Sequence, residues 1–215
     1  MLKILEPTLS PARIGTYMLA AGHDETQALA LYLWNAQLGE AFHLPIQAVE
    51  IALRNRINSV LVGSFGADWW QEPGFLTQSD KRQNDAIGEV KARITKRGQI
   101  LVTGQIVAGL SFGFWVSMLD ARYNPAVWSH QLVAGFPNLP ATASRDDLQK
   151  VARRIARFRN RIWHHEPIFK ANISEEYSVC MRALEWLCPH KLRWIKPQCK
   201  VMSMLRSRPK MPPSP

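Results

Sequence analysis

The run RNRIWH, from Arg159 to His164, places an arginine, an asparagine and a histidine within six residues of one another. Histidine exchanges protons near neutral pH, and the arginine fork is suited to gripping a phosphate. Converging on one spot, Arg159, Asn160 and His164 suit cleavage of a phosphodiester that is attacked by its own 2′-hydroxyl. At about 100° per residue, Asn160 and His164 share a helix face. Arg159 and His164 lie about 140° apart on the same wheel. They can meet only at a fraying C-terminal turn, or across an interface where two copies of the helix come together.

The element that must position these groups is written in the surrounding segment, SRDDLQKVARRIARFRNRIWHHEP. Ser144 with Asp147 three residues on predicts a capping-box start, and Asp146 and Asp147 oppose the positive helix end. Pro167 forces Glu166 into extended geometry, so the helix should end near His164 or His165. On the wheel Leu148, Val151, Ala152, Ile155, Ala156, Phe158, Ile162 and Trp163 form one apolar arc. Arg153, Arg157, Asn160 and His164 lie opposite. Arg159 falls inside the apolar arc, where a guanidinium is costly unless it is paired or borders a polar cleft. The same spacing also describes an Arg-rich solvated helix closed by a capping histidine, and spacing leaves both readings open.

The rest of the chain is predicted to be all-α, because apolar residues recur at three- and four-residue spacing. Helices are expected from Pro11 to about Ala21, from Asp24 to about Phe42 and, with Pro45 in its first turn, from there to about Gly63. Others run from Ser79-Asp80 to about Arg97, from Ser144 to about His165, and from Asn172 to Leu187. Residues 64–77 read as a loop in which Trp69 and Trp70 are packing anchors. Ile100 to Leu119 is twenty residues without a charge. Its glycines and hydroxyls make it a buried core helix rather than a membrane span. The expected organisation is one helical domain over residues 1–189 and a basic, proline-rich, disordered tail over 190–215.

With 215 residues, 47% of them hydrophobic, the chain is long enough to bury a core without staples, and its composition excludes wholesale disorder. Three cysteines cannot form a paired framework. Glu6 and Pro7 interrupt the N-terminal run before a signal-like apolar stretch develops, so a cytoplasmic setting is expected. The net charge is +10, and seven cations of the tail, among them Lys196 and Lys200, supply most of it. A basic tail attracts polyanions through a sequence-independent field.

The Arg-His run resembles the Arg-x4-His motif of the HEPN superfamily, with the polar Asn160 directly after the arginine and His165 doubling the histidine. AVEIALRNRIN (Ala48 to Asn58) and LSFGFWVSML (Leu110 to Leu119) resemble segments of the Abi-like abortive-infection family, in the same order along the chain. The resemblance spans roughly Pro11 to Trp194. It implies an all-helical homodimer that brings two such helices together, with metal-independent endoribonuclease activity in bacterial phage defence or a toxin role. It implies that Arg159 holds the scissile phosphate, His164 moves protons, and Asn160 positions the RNA or the histidine. A non-catalytic helical module that binds RNA or a protein partner through the same groove is the alternative.

Glu50, Arg54 and Asn58, spaced by four, form a polar stripe. It is either a surface ion pair with its neighbour or, together with His165, part of the cleft lining. Arg153, Arg157 and Arg161, with Lys196 and Lys200, are the expected RNA contacts. His164, His165 and Glu166 do not make a metal site, since adjacent helical histidines diverge and no ligand pattern is present. No cofactor is expected. The partners expected are RNA, a second copy of the chain, and an antitoxin or regulatory protein, with no membrane.

Overall fold

Helical periodicity carries through to the tertiary structure. The computed structural model describes residues 1–210, and all regular structure among them is helical. The helices are α1 (Leu2–Leu9), α2 (Pro11–Ala20), α3 (Glu25–Phe65), α4 (Pro73–Gln78), α5 (Lys81–Lys96) and α6 (Thr103–Gly109). They continue with α7 (Phe112–Ser117), α8 (Ser129–Gly135), α9 (Arg145–Trp163), α10 (Ile173–Leu187), α11 (Pro189–Ile195) and α12 (Val201–Arg206).

The organising element is α3, 41 residues long, which spans about 60 Å at 1.5 Å per residue. Helices α2, α7, α8, α9, α10, α11 and α12 all pack on it. The sequence predicts two helices here, broken before Pro45, yet the structure has one. A proline inside a helix removes a hydrogen bond and clashes with the preceding turn, at a cost of about 3 kcal/mol. Leu38, Phe42, Ile46, Val49 and Leu53 on either side are at most 1% exposed. Burying each is worth about 1.5–3 kcal/mol, so the shared core outweighs the proline.

The uncharged segment 100–119 is likewise not one helix. α6 ends where the Leu110 amide donates to the Ile106 carbonyl. α7 begins where the Ser111 hydroxyl accepts from the Phe114 amide. The extended backbone at Leu110 and Ser111, with the cap supplied by Ser111, makes the break. Gly109 allows α6 to approach α5, since a Cβ there would stand 2.6 Å from Val90 Cγ1. Among the described residues no helix is long and apolar enough to cross a membrane.

The largest departure from the sequence reading is the C-terminal segment. Residues 190–206 do not form a disordered tail but fold onto α3 and α10 through α11 and α12. Val201 is fully buried, Trp34 Nε1 donates to the Met204 carbonyl at 2.8 Å, and the Arg208 guanidinium lies over the Trp34 ring. Charge and proline content suggested disorder, but Ile195, Val201, Met204 and Leu205 supply enough apolar contact to order the backbone. Pro189 sits in the first turn of α11, where its missing N–H costs nothing. Residues 211–215 of the expected tail lie outside the described residues.

Trp69 and Trp70 are buried anchors, as expected, in a short 3₁₀ turn over Trp69–Gln71. Trp69 donates to Asn58 Oδ1 at 2.9 Å and Trp70 to Thr103 Oγ1 at 3.0 Å, fixing the end of α3 to α6.

Candidate active site

Helix α9 begins with the expected capping box. The Ser144 hydroxyl accepts from the Asp147 amide, and the Asp147 carboxylate accepts from the Ser144 amide. Leu148, Val151, Ala152, Ile155 and Phe158 are buried, whereas Arg153, Arg157, Asn160 and His164 are exposed, as the wheel predicts; Trp163, expected in the apolar arc, is instead exposed because it lies in the last turn, at the rim of the α3 contact. The helix seats on α3 through Phe158 and Phe42, whose rings meet edge to face at 4.8 Å. It is held close at Gly39, where a Cβ would come within 3.3 Å of Ile162.

Arg159 is half-buried on this packed side. Its guanidinium lies over the Trp163 ring, 4.7 Å from the centroid. Its Nε is sealed from solvent and has no hydrogen-bond partner. Among the described residues no carboxylate pairs with it. The one polar contact is a long hydrogen bond of 3.4 Å from Nη1 to Asn160 Oδ1. The other face of the assembly is His43 of α3, whose ring stacks on Trp163 at 5.7 Å. Arg159, Trp163 and His43 therefore form one contiguous group across the α9–α3 contact. The guanidinium keeps most of its donor capacity unspent.

The end of α9 is a Schellman turn. His164 caps the helix, the His165 amide donates to the Ile162 carbonyl at 2.9 Å, and the Glu166 amide donates to Arg161 at 2.9 Å. His165 occupies the left-handed position, with φ 55°, that glycine usually takes. Arg13 of α2 holds it there, donating from Nη1 to the His165 carbonyl at 2.6 Å. The turn sends the two histidines in different directions. Both are exposed, and His165, unlike His164, lines a cavity.

That cavity, about 760 Å³, opens between α2, the N-terminal half of α3 and the turn after α9. Tyr17, Tyr32, His43 and Trp163 provide its aromatic walls, and Arg13, Glu40 and Glu166 its charges, with Glu166 already paired to Arg161 at 3.1 Å. Tyr17 is buried against Tyr32, their rings edge to face at 5.2 Å, and burial pushes its hydroxyl up to about 12. Asn35 is already spent, its Oδ1 accepting from the Ile168 and Phe169 amides. Glu40 makes no ion pair or hydrogen bond among the described residues.

The expected cleft stripe on α3 divides. His165 lines the cavity, but Glu50, Arg54 and Asn58 do not. Because α3 is continuous, Arg54 lies about 16 Å along the axis from His43. Asn58 serves Trp69, and Arg54 reaches Asn55 at 3.5 Å rather than pairing with Glu50. Of the expected RNA contacts, Arg153 is tied to Asp120 at 2.6 Å, and Arg161 to Glu166 and the Pro167 carbonyl. Arg157, Lys196 and Lys200 are exposed and unpaired among the described residues. Sequence reasoning missed Arg13, Tyr17, Tyr32, Glu40 and His43. Glu40 and His43 carry an ordinary helical spacing, and nothing local marks them. No group of three or more His, Cys, Asp or Glu stands ready for a metal ion among the described residues.

No family model matches the chain, and no curated protein or solved structure is significantly similar to it.

Proposed function

We propose that the chain is a metal-independent endoribonuclease of the Abi-like, HEPN type, acting in bacterial phage defence or as a toxin. The observation that carries the reading is Arg159, a half-buried guanidinium without a carboxylate partner, at the end of a helix that also bears Asn160 and His164. An unpaired arginine in an apolar arc is expensive, and an incoming phosphate would accept from the Nη groups, which no carboxylate occupies, while Nε stays sealed against the packed side. The Trp163 ring and the close α3–α9 contact hold the guanidinium in place before substrate arrives.

In this reading Arg159 grips the scissile phosphate. The 2′-oxygen of the adjacent ribose attacks phosphorus, giving up its proton to an imidazole. The bond from phosphorus to the 5′-oxygen breaks, and that oxygen takes a proton as it leaves. The products are a 2′,3′-cyclic phosphate and a 5′-hydroxyl. His164 exchanges these protons and Asn160 orients the RNA or the imidazole. A second copy of the chain would bring a second helix end to the same phosphate, and exposed Trp163 (42%) and Leu33 (61%) offer apolar surface for it.

The test is incubation of the purified protein with mixed RNAs in excess chelator, with analysis of fragment ends. Fragments ending in 2′,3′-cyclic phosphate, with DNA spared for want of the 2′-hydroxyl, are expected. RNA bound but uncut, or cutting restored only by added divalent metal, would overturn the reading. The first of these outcomes would make the chain a binding module.

A further inference from the structure

Beside the phosphate-gripping arginine lies a cavity with a chemistry of its own. Its 760 Å³ falls within the range of about 300–1,000 Å³ typical of small-molecule sites. Aromatic side chains form its walls, which suits a flat heteroaromatic guest better than an aliphatic one. Ala36 and Gly39 keep one side of α3 low, and Glu40 and His43 continue the same face at helical spacing. Glu40 presents a carboxylate with no partner among the described residues, so its acceptor oxygens are open to a ligand.

A carboxylate accepts two parallel hydrogen bonds from two adjacent donors. Among the four RNA bases, guanine alone offers such a pair on one edge, its ring N1–H beside its exocyclic N2–H₂. Adenine and cytosine present an amino group next to an acceptor nitrogen, which a carboxylate repels. Uracil presents one N–H between two carbonyls. Trp163 lines the cavity and also carries the Arg159 guanidinium, so a base in the cavity and a phosphate on Arg159 are separated by one indole.

We propose that this cavity is a base subsite that takes an unpaired guanine from single-stranded RNA, with Glu40 accepting from N1–H and N2–H₂ of its Watson–Crick edge. The identity of the polymer rests on the endoribonuclease reading, whereas the guanine chemistry rests on the cavity. Glu40 is then the specificity-determining residue, and Tyr32 and His43 flank the ring.

The test uses the full chain and uncleavable probes, so that it is independent of nuclease activity. Fluorescently labelled 2′-O-methyl RNA pentamers, all-uridine or with one central guanosine, are titrated and followed by anisotropy. Guanosine should tighten binding by about ten- to hundredfold, the discrimination expected of a bidentate pair. Glu40→Gln, on an exposed helix face, should fold normally by circular dichroism and bind the two pentamers alike. Equal binding of the two pentamers, or a preference that survives Glu40→Gln, would overturn the proposal. Free guanosine monophosphate binding as tightly as the guanosine pentamer would overturn the polymer subsite in favour of a free nucleotide. Failure of the nuclease test with the guanosine preference intact would overturn the proposed reaction alone.

Discussion

Replacing Arg159 separates a catalytic guanidinium from a structural one, and the structure bounds the expected change in stability. Two favourable contributions are lost in Arg159→Met and one cost is removed. Stacking on Trp163 is worth about 0.5–2 kcal/mol depending on how far the pair is desolvated. The 3.4 Å contact to Asn160 is too long to contribute much. Against these, the sealed and unpartnered Nε costs about 1–3 kcal/mol, and the substitution removes that cost. Methionine keeps the aliphatic stem packed on α3 and suits a helix. The net change should lie between about 1 kcal/mol of destabilisation and about 2.5 kcal/mol of stabilisation. Arg154→Ala is the comparison. Arg154 forks to Glu175 and to Glu176 at 2.9 Å, and Glu176 is only 14% exposed, so its loss should cost about 1–3 kcal/mol. Urea unfolding followed by far-ultraviolet circular dichroism measures both variants. RNA cleavage in chelator should fall at least about a hundredfold in Arg159→Met, as for loss of a preorganised donor. A stability loss of about 3–5 kcal/mol in Arg159→Met would show a paired structural ion and refute the reasoning. So would a folded Arg159→Met protein that cuts RNA at the parental rate.

The remaining predictions concern the turn, the C-terminal helices and alkaline pH. His165→Gly should be neutral or stabilising by up to about 1 kcal/mol in urea unfolding, because glycine adopts φ 55° without strain, and a clear destabilisation would show that the imidazole itself holds the turn. Val201→Ala should cost about 1–3 kcal/mol, and deleting residues 196–215 more, since α12 covers Trp34. Truncation that leaves stability unchanged would mean that the segment does not dock. In the full chain, Lys200→Ala should flatten the salt dependence of RNA binding by about one phosphate contact, and an identical salt slope would remove that lysine from the interface. Burial pushes Tyr17 and Tyr123 up to about 12 from the ordinary 10, so both favour the folded state while protonated. That stability is fully present below pH 10 and lost as pH rises through 12, about 2–3 kcal/mol for each tyrosine. The expected steep alkaline unfolding can be followed together with tyrosinate absorbance. Tyrosinate forming near pH 10 in a protein still folded, and lost in Tyr17→Phe or Tyr123→Phe, would contradict it.

What the sequence determined on its own is what neighbouring residues decide. The start of α9 at Ser144 and Asp147, its end near His164, and the helix starts at Asp80 and Asn172 rest on local hydrogen bonds, and each was legible. The amphipathic wheel of α9 was legible for the same reason, and it singled out Arg159 as the cation on the wrong side. Tertiary packing decided the rest, wherever burial across the chain overrode a local signal. Pro45 announces a break, yet Phe42 and Ile46 enter one core and α3 runs through. The uncharged stretch at 100–119 promises one helix, yet Ser111 caps a second one. Seven cations and several prolines promise a disordered end, yet Val201 and Met204 dock on α3. The candidate site divides along the same line. Arg159, Asn160 and His164 sit within one short motif and could be read directly. Glu40 and His43 join them only because Gly39 lets α9 lie close on α3, and Arg13 joins only because the turn at His165 presents its carbonyl to α2. No sequence window contains those two approaches, which arise from the close packing of helices distant in the chain.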